Sequence, residues 1–182
     1  MQSINEYSFV YITGPKFFYF KEDFFMILGI DGISLFLIIL TTFLFSVCSL
    51  VAFSVNKKVR LFYTLLLLLE FFILASFIVL DFLMFYVFFE AILIPMFLII
   101  GIWGSRSRRM KAANYFLFYA FFGSLFMLVG ILIIYLTVGS TGWYNSYVFN
   151  FNLNTQKLLW FLFFIGFAIK VPLWPFHIWL PE

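Results

Sequence analysis

Five apolar stretches of about 20 residues, divided by short polar breaks, set the terms for this chain. A helix rises about 1.5 Å per residue and a bilayer's hydrocarbon core is about 30 Å thick, so each stretch is long enough to cross. Their approximate limits are residues 29–55, 61–80, 82–103, 112–138 and 158–179. In lipid the backbone must satisfy its own N–H and C=O groups, which favours helices for such segments. The expected fold class is all-α: a polytopic membrane helix bundle of about five spans over residues 29–182.

Composition supports lipid as the solvent. Charged residues make up 10% of the 182 and hydrophobic residues 65%, with a mean hydropathy of +1.12, whereas a soluble domain carries about a quarter charged residues. A soluble enzyme is excluded. One Cys and one His leave almost no ligands for metal, haem or iron–sulfur groups. No catalytic residue, metal site or bound cofactor is therefore expected in this chain, and no nucleic-acid partner. Cys48, in LFSVCSLVAF, reads as a small buried hydrophobe.

The placement of charge predicts topology. Lys57, Lys58 and Arg60 lie between the first two stretches, and Arg106, Arg108, Arg109 and Lys111 between the third and fourth. Alternating spans put both loops on one side, and the excess of Lys and Arg assigns it to the cytoplasm or matrix. The opposite side receives Asp81, the polar loop GSTGWYNSYVFNFNLNTQK and the N-terminal segment. Residues 1–28 mix aromatics with charges, lack the pattern of a cleaved signal, and read as a retained segment lying at the interface. Within the fourth stretch Ala113, Ala120, Gly123 and Gly130 share one helical face, as expected where another helix packs closely.

Three charges fall inside spans: Glu70, Glu90 and Lys170. An ionised group at mid-bilayer costs about 2.5–3.5 kcal/mol on insertion scales, so such groups usually face protein and mark an ion or proton path. The competing reading is a structural ion pair, or a neutral buried acid, with no transport role. Glu90 lies about 12 Å and Lys170 about 18 Å below the same boundary, depths close enough for the two to pair if their helices are neighbours. A proton arriving on Glu90 would then change the electrostatic hold on Lys170.

Prolines strengthen this reading. Pro95 has no N–H for the Ala91 carbonyl, so a bend is expected beside Glu90. Pro172 and Pro175 are expected to free the carbonyls of Ala168 and Val171, breaking the last span from Lys170 to Pro175. Broken helices at membrane depth are typical of transporter ion sites, although a proline kink made only for packing is the simpler alternative. Glu70 is either a further proton stop or a partner for a polar group on another chain. His177 is a relay or an interface histidine. Asp31 reads as a helix-end carboxylate, Asp81 as marking an outer turn, and the basic loops as topology signals with cardiolipin as a secondary contact.

Three segments, DGISLFLIILTTF, LDFLMFYVFFEAILIPMFLIIGIWGSRSRRMKAA and FAIKVPLWPFHIWLPE, together resemble the chain 4 family of antiporter-like membrane subunits of proton-pumping NADH:ubiquinone oxidoreductase, respiratory complex I. The resemblance covers Asp31 to the end. The middle segment is specific; related subunits share only the looser K-x-x-x-x-P-F-H-x-W-x-P ending. The resemblance implies that Glu90 is the family's fifth-helix glutamate, Lys170 the lysine of its broken seventh helix, and His177 the histidine after that break. It implies a partial antiporter-like transmembrane domain contributing part of a proton half-channel. NADH, FMN, iron–sulfur clusters and ubiquinone are then handled by other subunits.

The family carries about two helices before DGISL and seven after WLPE, so a split or shortened form is expected. Its implied partners are the other membrane-arm subunits, including a chain supplying the C-terminal half, together with membrane lipid. The implied location is the mitochondrial inner membrane, multi-pass with basic loops in the matrix, or alternatively a bacterial plasma membrane. Two other functions remain open on sequence: a cation/proton antiporter subunit outside any redox complex, and a structural subunit with a vestigial pathway.

Overall fold

The computed structural model describes residues 10–13, 27–104 and 107–176. Two short strands, β1 (Val10–Thr13) and β2 (Ile27–Ile30), pair antiparallel with Val10 opposite Ile30. This pair is a small addition to a bundle that is otherwise all-α, as expected, and Leu28 bridges Val79 at its edge. Helix α1 (Gly32–Val51) follows, extended by a 3-10 turn at Ala52–Ser54. Asp31 caps it as the sequence implied, in a capping box with Ser34 that satisfies N–H groups otherwise orphaned at a helix start.

Helix α2 covers Val59–Ile78. The third stretch is two helices, α3 (Phe82–Ala91) and α4 (Leu93–Trp103), interrupted at Ile92. Pro95 explains the position: it offers no N–H to Ala91, so the helical ladder fails one turn before the proline. Helix α5 (Arg109–Val138) is the longest, at 30 residues, and ends at Gly139, whose φ of +79° suits a residue without a Cβ. A short α6 (Trp143–Val148) leads to α7 (Leu153–Lys170).

Among the described residues, four helical segments, 32–54, 59–78, 82–103 and 109–138, are long and apolar enough to cross a membrane. The expected fifth span differs. Its helix begins with the polar turn LNTQK, and its apolar part, residues 158–169, is about 18 Å long. It ends at Lys170 and gives way to turns at residues 171–175, while residues 177–179 of the expected span lie outside the described part. Among the described residues, this helix ends beside the middle of α5.

Both ends of the bundle are pinned. At one, the Trp103 indole donates to the Lys57 carbonyl at 2.7 Å and the Phe62 and Trp103 rings meet at 5.1 Å, so the described parts of the two basic loops lie together. At the other, Phe82 N–H donates to Thr141 O and Trp143 N–H to Leu80 O, both at 3.0 Å. Asp81 caps α3 there and accepts the Thr141 hydroxyl at 2.6 Å.

The core forms where α5 meets its neighbours. Ala113, Phe116, Ala120, Gly123, Ser124, Met127, Gly130, Ile131 and Ile134 are its buried residues, and they include all four small residues that the sequence placed on a packing face. Helices α5 and α7 run antiparallel in close contact: Gly130 faces Phe163, Gly166 faces Met127, and Gly123 faces Ile169. Helix α1 has no buried residue. Cys48, on α1, is accordingly exposed and not the buried hydrophobe expected, because α1 packs mainly on α2 at the rim.

Candidate functional site

Antiparallel packing against α5 fixes where α7 stops. Ile169 meets Gly123, near the middle of the 109–138 helix, so Lys170 sits at mid-depth of the bundle. A cation in the last turn of a helix complements the partial negative charge there. The Ala168 carbonyl, expected to be freed by Pro172, instead accepts from Leu173 N–H at 2.9 Å. The turn after α7 wraps back and takes it, so this break leaves one fewer open acceptor than the proline pattern alone implied.

Lys170 faces α3. Its Nζ donates to the Phe89 carbonyl and lies over the Phe89 ring, 3.2 Å from the centroid. Glu90, the next residue, interacts with Lys170 by Coulomb attraction and with the Ser124 hydroxyl group, and Tyr86 interacts with both Glu90 and Ser124. Glu90 Oε2 is buried without a hydrogen-bond partner. Ser124, 1% exposed, donates its hydroxyl proton at 2.8 Å to the Phe121 carbonyl of its own helix while facing the Glu90 carboxyl. Glu90 and Lys170 are thus neighbours without a direct ion pair; the pairing that matched depths suggested is replaced by a lysine seated one residue away.

An aromatic wall closes the site on the Asp81 side. Phe85 stacks on Phe89 at 5.4 Å and lies 6.3 Å from Phe167, which meets Phe89 edge-on at 5.8 Å. Beyond it opens a cavity of about 370 Å³ lined by residues including Asp31, Asp81, Trp143, Phe82, Phe85 and Phe167. The two carboxylates in its lining, Asp31 and Asp81, are engaged as helix caps.

Of the sequence candidates, Glu90 and Lys170 come together, with the Pro95 break beside them. Glu70 lies on α2, partly buried. Pro172 and Pro175 lie in the turns after α7, and His177 lies outside the described residues. The sequence analysis missed Tyr86, Phe89 and Ser124. Tyr86 is four residues before Glu90 and hence on its face, and Ser124 adjoins Gly123 on the small-residue stripe; both signals were present in the sequence. Among the described residues no group of three or more His, Cys, Asp or Glu side chains comes together as metal ligands.

Comparison with known proteins points the same way. NADH-ubiquinone oxidoreductase chain 4 of Arabidopsis thaliana is 52% identical over 156 residues, covering 85% of this chain and 32% of the relative. Chain 4 of Mycosarcoma maydis is 49% identical with the same coverage. Chain 4 of Chondrus crispus is 45% identical over 179 residues, covering 93% of this chain and 36% of the relative. The chain therefore spans about a third of the length of the curated relatives it matches. A chain of respiratory complex I from Thermus thermophilus, solved with bound NADH, superimposes with a TM-score of 0.77 at 33% identity, covering 86% of this chain and 33% of that one. Residues 79–182, which hold the whole Glu90–Lys170 site, match the family model described as NADH:quinone oxidoreductase/Mrp antiporter, transmembrane, and to that family this chain belongs.

Proposed function

We propose that this chain is part of a proton-translocating membrane-arm subunit of NADH:ubiquinone oxidoreductase, contributing a segment of a proton half-channel in which Glu90 and Lys170 are the charged groups. The observation that carries the reading is that Lys170, at the end of a helix that stops halfway along α5, lies beside Glu90, whose Oε2 is buried and unpartnered. Such a site is costly in lipid and is maintained where charge has to move. Redox chemistry belongs to other subunits, and coupling reaches this site by movement of charge.

The site works by reciprocal electrostatics. An ionised Glu90 attracts the Lys170 ammonium; a proton taken up by Glu90 cancels that attraction and lets the ammonium move away. Tyr86 and Ser124 complete the polar wall, with Ser124 able to turn its hydroxyl from Phe121 O toward the carboxylate. Glu70 serves as a further proton stop and His177 as a relay beyond the α7 turn. The basic loops lie on the matrix side of a mitochondrial inner membrane, beside anionic headgroups such as cardiolipin. The apolar cleft lined by Phe118, Phe122, Ile165, Ile169 and Phe176 receives the part of the subunit corresponding to the remaining two-thirds of its relatives, on this polypeptide or another.

Affinity purification of the tagged chain from solubilised membranes tests the assignment. Recovery of the flavin and iron–sulfur subunits with it is expected, together with NADH:ubiquinone reductase activity. Recovery in a cation antiporter assembly lacking flavin would contradict it.

A further inference from the structure

We propose that Phe89 is a positioning residue for Lys170: its ring and its carbonyl form a seat that holds the ammonium off the Glu90 carboxylate, so that Lys170 moves between two seats one residue apart during proton transfer. This rests on the proton-path reading of Glu90 and Lys170. The seat is built from two independent contacts to a single residue, the ring 3.2 Å from Nζ at its centroid and the backbone carbonyl that accepts from Nζ.

Both halves of the seat are held in place. Phe85 and Phe167 fix the plane of the Phe89 ring, and Phe167 lies one turn before Lys170 on α7, so the ring and the ammonium are set by the same pair of helices. The carbonyl lies in the last turn of α3, where helical carbonyls lack their usual partners. That of Phe88 is taken by Ile92 N–H at 3.3 Å and that of Phe89 by Lys170. The break before Pro95 therefore places an acceptor where the lysine needs one.

A ring face and a neutral carbonyl attract an ammonium less than a carboxylate does in a site of low dielectric. Lys170 accordingly leaves the Phe89 seat when Glu90 is ionised and returns when Glu90 takes up a proton. In this exchange Glu90 gains one proton from the path and releases the same one to it. The unpartnered Glu90 Oε2 agrees with a structure in which Lys170 occupies the Phe89 seat.

The test uses the assembled complex in its own membrane, with Phe89→Leu, Phe89→Tyr and Glu90→Gln compared for protons moved per electron. Leu keeps the carbonyl and removes the ring face, which is expected to shift occupancy of the seat about ten-fold and lower the proton-to-electron ratio, while Tyr keeps the ratio near that of the parent. A purely structural role for Phe89 would lower NADH oxidation and pumping in proportion, with the ratio unchanged, and would overturn the proposal. If Glu90→Gln lowers the ratio and Phe89→Leu does not, the seat is wrong and the path stands; if neither lowers it, both fall. Should Phe89→Leu not assemble, structures of the parent complex at rest and during turnover decide. The ammonium over the Phe89 ring in one of these states supports the seat, and an ammonium paired with Glu90 in all of them overturns it.

Discussion

Gly123 of α5 faces Ile169 of α7 so closely that a Cβ at position 123 would lie 2.9 Å from the Ile169 Cβ. Ile169 precedes Lys170, so this contact sets the depth at which the lysine enters the bundle. Gly123→Val is expected to push the helices apart, costing about 1–3 kcal/mol by overpacking and displacing Lys170 from α3. Gly130→Ala is milder, because the added Cβ meets the edge of the Phe163 ring at 3.1 Å. Thermal inactivation of the assembled complex checks the order: Gly123→Val well below the parent, Gly130→Ala between them.

The Asp81 carboxylate joins two loops at once, accepting from Leu83 N–H at 2.9 Å, Met84 N–H at 3.0 Å and the Thr141 hydroxyl at 2.6 Å. Asp81→Ala removes a helix cap and the clasp together, at about 1–2 kcal/mol. Thr141→Val loses the clasp alone and costs less. Limited proteolysis within residues 139–152 is expected to be fastest in Asp81→Ala, and equal rates in both variants would show that the cap does not support the loop.

Asp31 predicts a pH effect at the other exposed helix start. Hydrogen bonds from Ser34 hold its carboxyl below the ordinary 3.8. A lowered folded-state value means that the cap's charge-dependent stability is fully present above that ordinary value and is lost as pH falls through the folded one. Amide exchange in the first turn of α1, corrected for intrinsic rates, is expected to rise only at such acidic pH. Asp31→Asn, which keeps an acceptor but cannot titrate, is expected to abolish the rise.

Topology has its own test. The Trp103–Lys57 contact joins the described parts of the two basic loops at one end of the bundle. A cysteine at Ser107 in a Cys48→Ser background is expected to react with an impermeant thiol reagent only from the matrix side. Labelling from the intermembrane side alone would reverse the orientation.

What the sequence revealed followed from periodicity and from the cost of charge in lipid. Four of the five spans, the small-residue face of α5 and the conspicuous Glu90 and Lys170 were legible because each is a strong one-dimensional signal. The seat on Phe89 was not, because it depends on a backbone carbonyl and on which of many phenylalanines faces α7; 31 of them make any single one unremarkable. Matched depth brought Glu90 and Lys170 into the same layer but did not determine which atom the ammonium contacts. Cys48 was misplaced for a similar reason: an apolar helix looks alike in a membrane protein whether it is central or at the rim.

The central claim, that Glu90 carries protons, is tested most directly by Glu90→Gln in the fully assembled complex, measuring protons translocated per electron passed to ubiquinone. A neutral amide of nearly the same shape preserves packing but cannot take up a proton or attract Lys170. The account predicts normal assembly with a reduced proton-to-electron ratio and slower coupled quinone reduction. An assembled variant with the parent's ratio would contradict it and assign Glu90 a structural role.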